Sequence, residues 1–210
     1  MLNLTRTIAG LAIVAVTAAV AGAQTARVAV SPDSKLWIEG TSNVHDWKCE
    51  AKSIDAAIEI DAVAAQVATA LPAALKKVSV KIPVKAMKCG HDKMDDNMYK
   101  ALKADDNGEI SYIMGTFEST KGEKEDQFGV STKGTLKIAG VENQVAVDVV
   151  ATRLPDGTIK AVGTVPVKMT AFGVKPPTAM FGAIRAGDEV KVKFEISVGP
   201  KVIAAALGDR

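Results

Sequence analysis

Glu189-Val190-Lys191-Val192-Lys193-Phe194-Glu195-Ile196-Ser197-Val198 alternates without a break. Val190, Val192, Phe194, Ile196 and Val198 point one way, and Lys191, Lys193, Glu195 and Ser197 point the other. A strand of this kind has one apolar and one solvated face, which favours antiparallel pairing over a parallel sheet buried on both sides. The rhythm recurs upstream. Ile159, Ala161, Gly163, Val165, Val167 and Met169 share a face, and so do Val145, Val147 and Val149. Val78, Val80, Ile82 and Val84 form another such set, as do Ile54, Ala56, Ile58 and Ile60. Turn residues part these runs at hairpin spacing, at Ser31-Pro32-Asp33, Lys121-Gly122-Glu123, Ala139-Gly140, Pro155-Asp156-Gly157 and Ala186-Gly187-Asp188. The rule predicts about eight strands, which suits a sandwich or a closed barrel. Pro166 cannot donate to a ladder and is therefore expected at an edge or a bulge.

One segment keeps a different period. From Asp92 to Ala104, Met94, Met98 and Leu102 recur every fourth residue with Ala101 beside them, while Lys93, Asp96, Lys100 and Lys103 take the other side. This predicts an amphipathic helix over 92–104, rich in Asp at its start and Lys at its end as the helix dipole prefers. Asp105-Asp106-Asn107-Gly108 is the expected stop. The Ala-rich residues 62–75, broken by Pro72, read as a loop with at most a helical turn. No internal repeat or low-complexity linker divides the chain.

The N-terminus reads as a secretory signal over residues 1–23. Arg6 supplies the positive region, Ile8 to Val20 a short apolar stretch, and Ala21-Gly22-Ala23 a small-residue cleavage site. An uncleaved anchor is the alternative, although the apolar run is short for a membrane span. Cleavage leaves one domain over 24–210, with no stable membrane insertion and a periplasmic or secreted location. The signal holds one basic residue and no acidic one, so its loss lowers the formal net charge of +2 by one. Such a balance, with both signs interspersed, leaves no footprint for nucleic acid.

Both cysteines and both histidines fall in two short segments, Asn43-Val44-His45-Asp46-Trp47-Lys48-Cys49 and Met87-Lys88-Cys89-Gly90-His91-Asp92. Two thiolates and two imidazoles form a known tetrahedral set for zinc, and also suit copper(I). The spacings His45-x3-Cys49 and Cys89-x-His91 follow no established zinc pattern, however, and no metal site is expected. His45-Asp46 and His91-Asp92 also suit a turn and a helix start, with Asp92 near the N-cap. No nucleophile, base and orienting group stand at workable spacing, so no catalytic residue is assigned and no enzyme is expected. The glycines sit at turns without phosphate-cradle spacing.

Three stretches resemble the YceI-like family of polyisoprenoid-binding periplasmic proteins, and the likeness runs from about Ser34 to Val198. Asp92-Lys93-Met94-Asp95-Asp96-Asn97-Met98-Tyr99-Lys100-Ala101-Leu102, leading into Ile110-Ser111-Tyr112, is similar to the family's helix and following strand. Gly134-Thr135-Leu136-Lys137-Ile138-Ala139-Gly140-Val141, with the valine strand after it, resembles its central hairpin. Gly163 through Met169-Thr170-Ala171-Phe172-Gly173-Val174 resembles its late strand, with Ala171 where the family has an acidic residue. The resemblance implies a mostly β, lipocalin-like antiparallel barrel capped by one amphipathic helix, with an elongated apolar cavity for a polyprenyl chain.

On that reading the lining comprises Ile58, Ile60, Ile82, Val84, Val165, Val167, Met169, Phe172, Val192 and Phe194 from the strands. Met94, Met98 and Leu102 come from the helix. The partner would be an isoprenoid-type lipid or a quinone, with no resident cofactor. Methionine suits such a lining because it adapts to a flexible apolar ligand, though it equally fills an ordinary core. An even cysteine count in an exported chain, with flanking segments adjacent in the family fold, favours a disulfide between Cys49 and Cys89. Two other functions compete with a carrier. One is an envelope stress or interaction protein with a filled barrel, and the other a redox or metal-handling protein built on the His-Asp and Cys segments.

Overall fold

The computed structural model describes residues 25–61 and 74–200. The expected signal over 1–23 and the Ala-rich stretch over 62–73 lie outside the described residues. The alternating runs become strand except at their ends, where Ile54, Val84 and Met169 lie outside. The strands are β1 (Thr25–Ala29), β2 (Lys35–Ser42), β3 (Trp47–Ala51), β4 (Asp55–Asp61), β5 (Leu75–Pro83) and β6 (Met87–Lys88). Helix α1 (Asp92–Ala101) follows, then β7 (Glu109–Lys121), β8 (Gln127–Ile138), β9 (Val141–Arg153), β10 (Ile159–Lys168), β11 (Thr178–Ala179) and β12 (Ile184–Val198).

Every pairing is antiparallel, in the order β1-β4-β5-β7-β8-β9-β10-β12-β2-β3-β6, with β11 beside β12. Twelve strands among the described residues replace the expected eight or so. β6 and β11 are two residues each and β3 is five, too short for a period of two to stand out. The hydrogen-bonded path also has ends, β1 and β6, where a closed barrel was expected. The sheet is a curled half-barrel. A single 3-10 turn, Val84–Ala86, joins β5 to β6, so the third and last strands of the path lie one turn apart.

Register follows the apolar faces. Val165 stands opposite Val192, Val167 opposite Val190, Gly163 opposite Phe194 and Ala161 opposite Ile196, so both inward sets meet across β10 and β12. The outward sets pair by charge, Lys160 with Glu195 at 2.7 Å and Lys193 with Glu39 at 2.7 Å. Pro166 lies in the part of β10 that pairs with β12 alone, since the pairing with β9 ends at Gly163. Its missing N–H therefore costs the sheet little. Ser197 departs from the expected solvated face: it is buried, with its N–H on the Ser34 hydroxyl at 3.1 Å and its carbonyl accepting from the Ser31 N–H at 2.7 Å.

Helix α1 is shorter than expected, ending at Ala101 instead of Ala104. Lys103 adopts a left-handed backbone, φ 52°. The Ala104 N–H reaches the Tyr99 carbonyl at 2.9 Å and the Lys103 N–H reaches that of Lys100 at 3.1 Å. These are the two bonds of a Schellman cap, here built on lysine where glycine is usual. At the other end His91 is the N-cap, its Nδ1 accepting from the Lys93 N–H at 3.3 Å, and Asp92 follows as the first helical residue.

Candidate functional site

The inward faces do not meet in a packed centre. Among the described residues, the largest fully buried side chains are Met87, Val28, Val84 and Cys49. Ile58, Val80, Val149, Val192, Phe194 and Ile196 point inward yet remain half-buried, because they border an internal space. That space is a cavity of about 570 Å³, within the range of sites that enclose small ligands. Two aromatic side chains of the wall lie against glycines of the neighbouring strands. A Cβ on Gly134 would stand 2.6 Å from the Tyr112 hydroxyl, and one on Gly163 would collide with the Phe194 ring edge. Glycine at these two positions lets each ring lean on the neighbouring strand and leaves the interior open.

Of the residues expected to line the site, Ile58, Ile60, Ile82, Met94, Met98, Leu102, Val165, Val167, Met169, Phe172, Val192 and Phe194 border this cavity. Val84 does not. It is 1% exposed, in the 3-10 turn after β5, with its N–H on the Gly108 carbonyl at 2.9 Å. Pro83 ends the strand there, and once the backbone turns, a period of two no longer tells where a side chain points.

The lining carries no Asp, Glu, Lys or Arg among the described residues. Its polar groups are few. Tyr112 and Thr132 share a hydrogen bond of 2.7 Å in the interior, and Thr132 also reaches the Val147 carbonyl at 3.4 Å. Burial pushes the Tyr112 hydroxyl above its usual pKa, and the bond to Thr132 offsets this only in part. Ser42 ends β2, His45 follows it, Asn97 is on α1 and Thr178 is on β11, and each borders the cavity. His45 and Thr178 are solvent-exposed, so the cavity reaches water there. An ionised ligand group would be desolvated inside without a partner, at a cost of several kcal/mol; an apolar chain incurs no such penalty.

Cys49 and Cys89 form a disulfide, with Cα atoms 3.9 Å apart. Both thiols are consumed, which removes the thiolate metal set considered from sequence; no group of three or more metal-ligating side chains forms among the described residues. The bridge fastens the segment before α1 to β3. Cys49 is buried against Leu36, Ile82 and Met87, and Cys89 Sγ lies 3.9 Å from Met98 Sδ on the helix.

A second tie was not foreseen. Asp95, in the first turn of α1, is 5% exposed and accepts from the Cys89 N–H at 2.7 Å and from Lys88 Nζ at 3.1 Å. Burial pushes its pKa up, but the Cys89 amide and the Lys88 ammonium outweigh this and hold it below the ordinary aspartate value. The Tyr99 hydroxyl adds a third tie, donating to the Met87 carbonyl at 2.8 Å. The helix is thus clamped over the cavity by covalent, ionic and hydrogen bonds. Among these only the disulfide had a signal in the sequence.

The architecture matches solved structures. A crystal structure of Burkholderia cenocepacia BcnA is similar at a TM-score of 0.62 and 19% identity, covering 80% of this chain and 99% of that one. A polyisoprenoid binding domain from Saccharophagus degradans, implicated in plant cell wall breakdown, is similar at 0.57 and 13%, covering 84% and 100%. A Campylobacter jejuni YCEI protein is similar at 0.54 and 19%, covering 72% and 83%. No curated protein sequence matches the chain. The model of the YceI-like domain matches residues 38–198, from the middle of β2 to the last residue of β12, and the chain belongs to that family.

Proposed function

We propose that this protein is an exported, non-enzymatic carrier that holds one long apolar lipid of the isoprenoid or prenylquinone class inside the half-barrel, beneath α1. The observation that carries the reading is a cavity of about 570 Å³ whose wall is aliphatic and aromatic for the most part and, among the described residues, holds no Asp, Glu, Lys or Arg. The similarity to the Saccharophagus degradans polyisoprenoid binding domain supports the same ligand class. The disulfide supports export, since such bridges persist in oxidising compartments. A terminal polar group would sit at the water-facing end, near His45 and Thr178. Affinity would come from buried apolar area, about 25 cal/mol per Å² before ordering costs. Selection among chain lengths would then be loose and set by volume.

Met98→Asp tests this reading. It places an unpaired carboxylate against the bound chain and should abolish lipid retention. Lys100→Ala, on the exposed side of the same helix, should leave retention intact. Organic extraction followed by mass spectrometry reads both. Equal lipid in wild type and Met98→Asp would show that the helix does not cover the site.

A further inference from the structure

The segment from Lys175 to Arg185 holds two large apolar side chains in water beside the cavity. Phe181 is fully exposed, at 114%, and Met180 is 71% exposed. Thr178, Ala179 and Ile184, the residues flanking them, line the cavity. Met180 and Phe181 both take left-handed backbone, φ 53° and 54°, before Gly182 at 89°. This conformation is disfavoured for any residue with a Cβ and persists only where its surroundings enforce it.

Those surroundings are present. The Ala183 N–H donates to the Met180 carbonyl at 3.1 Å, Arg185 Nε to the Gly182 carbonyl at 2.9 Å, and the Ala186 N–H to the Pro177 carbonyl at 3.0 Å. Asn43, from the loop between β2 and β3, donates to the Ala183 carbonyl and accepts from the Arg185 N–H, each at 2.8 Å. The same loop exposes Val44, at 62%. Two braced loops therefore hold apolar side chains outward, next to an apolar interior that could have taken them.

Charge selects the partner. Between Thr170 and Gly187 the only charged residues are Lys175 and Arg185, both basic and both exposed. The next acid, Asp188, is turned onto Thr170, accepting from its hydroxyl at 2.7 Å and its N–H at 2.9 Å. Asp46, on the facing loop, is the acidic exception. Apolar tips with basic neighbours suit the interface of an anionic bilayer, where the tips enter the headgroup region and the cations meet phosphate.

We propose that the Met180-Phe181 tip, with Val44, Lys175 and Arg185, docks the protein on an anionic lipid bilayer so that the cavity opens onto the membrane. This rests on the carrier reading for its purpose but is tested apart from it. Protein in the form the cell accumulates is mixed with vesicles of phosphatidylcholine and phosphatidylglycerol, or phosphatidylcholine alone, and floated on a density gradient. The wild type should float with the anionic vesicles, several-fold less with the neutral ones and less in high salt. Met180→Ser/Phe181→Ser should lose at least nine-tenths of that binding, and Lys175→Glu/Arg185→Glu should lose it similarly. Phe181→Trp should show a blue-shifted emission with anionic vesicles.

Farnesol supplied from detergent separates the two readings, because it reaches the cavity without a bilayer. The Met180→Ser/Phe181→Ser protein should retain farnesol as the wild type does. Flotation of that variant at the wild-type level, or a wild type that does not float, overturns docking. Farnesol uptake by neither protein overturns the carrier reading and leaves docking to stand or fall on flotation.

Discussion

An aspartate in the first turn of a helix is ordinarily a solvated partner of the helix dipole. Asp95 is instead enclosed, and its carboxylate joins α1 to the Lys88 ammonium and the Cys89 N–H beside the disulfide. Its folded pKa lies below the ordinary 3.8, so its contribution to stability is fully present above that value and is lost as the pH falls through the lower folded value. Asp95→Asn should cost about 1–3 kcal/mol at neutral pH, as expected for a hydrogen-bonded buried charge. Denaturant titrations of wild type and variant should differ above pH 3.8 and converge only as the pH falls below it, through the lower folded value; a gap independent of pH would contradict this account. The disulfide was legible because only two cysteines occur, each beside a histidine in similar segments. Asp95 was not, since three aspartates stand among residues 92–96 and nothing in a pattern tells which one turns inward.

At the scale of elements, β4, β5, β9, β10 and β12 read directly from their alternation, and the register of β10 against β12 follows from the same faces. What escaped was governed by backbone geometry instead of by hydrophobic period. β6 and β11 are too short to show a period, Val84 lies past the point where Pro83 ends the strand, and Ser197 is covered by the turn at Ser31–Ser34. The end of α1 belongs to the same class, because apolar spacing continues to Leu102 while the cap closes on Lys103. Left-handed backbone costs about 1–2 kcal/mol for a residue with a Cβ, and glycine avoids that cost while losing part of the gain to a more flexible unfolded chain. Lys103→Gly should therefore stabilise the protein by about 0.5–1 kcal/mol. A chemical denaturation midpoint that falls in this variant would mean the cap is not formed as described.

For the molecule as a whole, the faces of the strands were legible but the emptiness between them was not. Val190, Val192 and Phe194 read identically as packed core and as cavity wall, and only the curvature of the sheet separates the two cases. A large side chain placed inside distinguishes them in solution. Val192→Trp in a filled interior would cost about 1–3 kcal/mol by overpacking. In the cavity seen here it should leave thermal stability unchanged or raised while reducing lipid capacity. The most direct test of the central claim is native mass spectrometry of the unreduced, purified protein. The account expects a population carrying the mass of one apolar lipid per chain, released by organic extraction and restored by incubation with a prenol. A bare chain mass that stays bare after that incubation would contradict it.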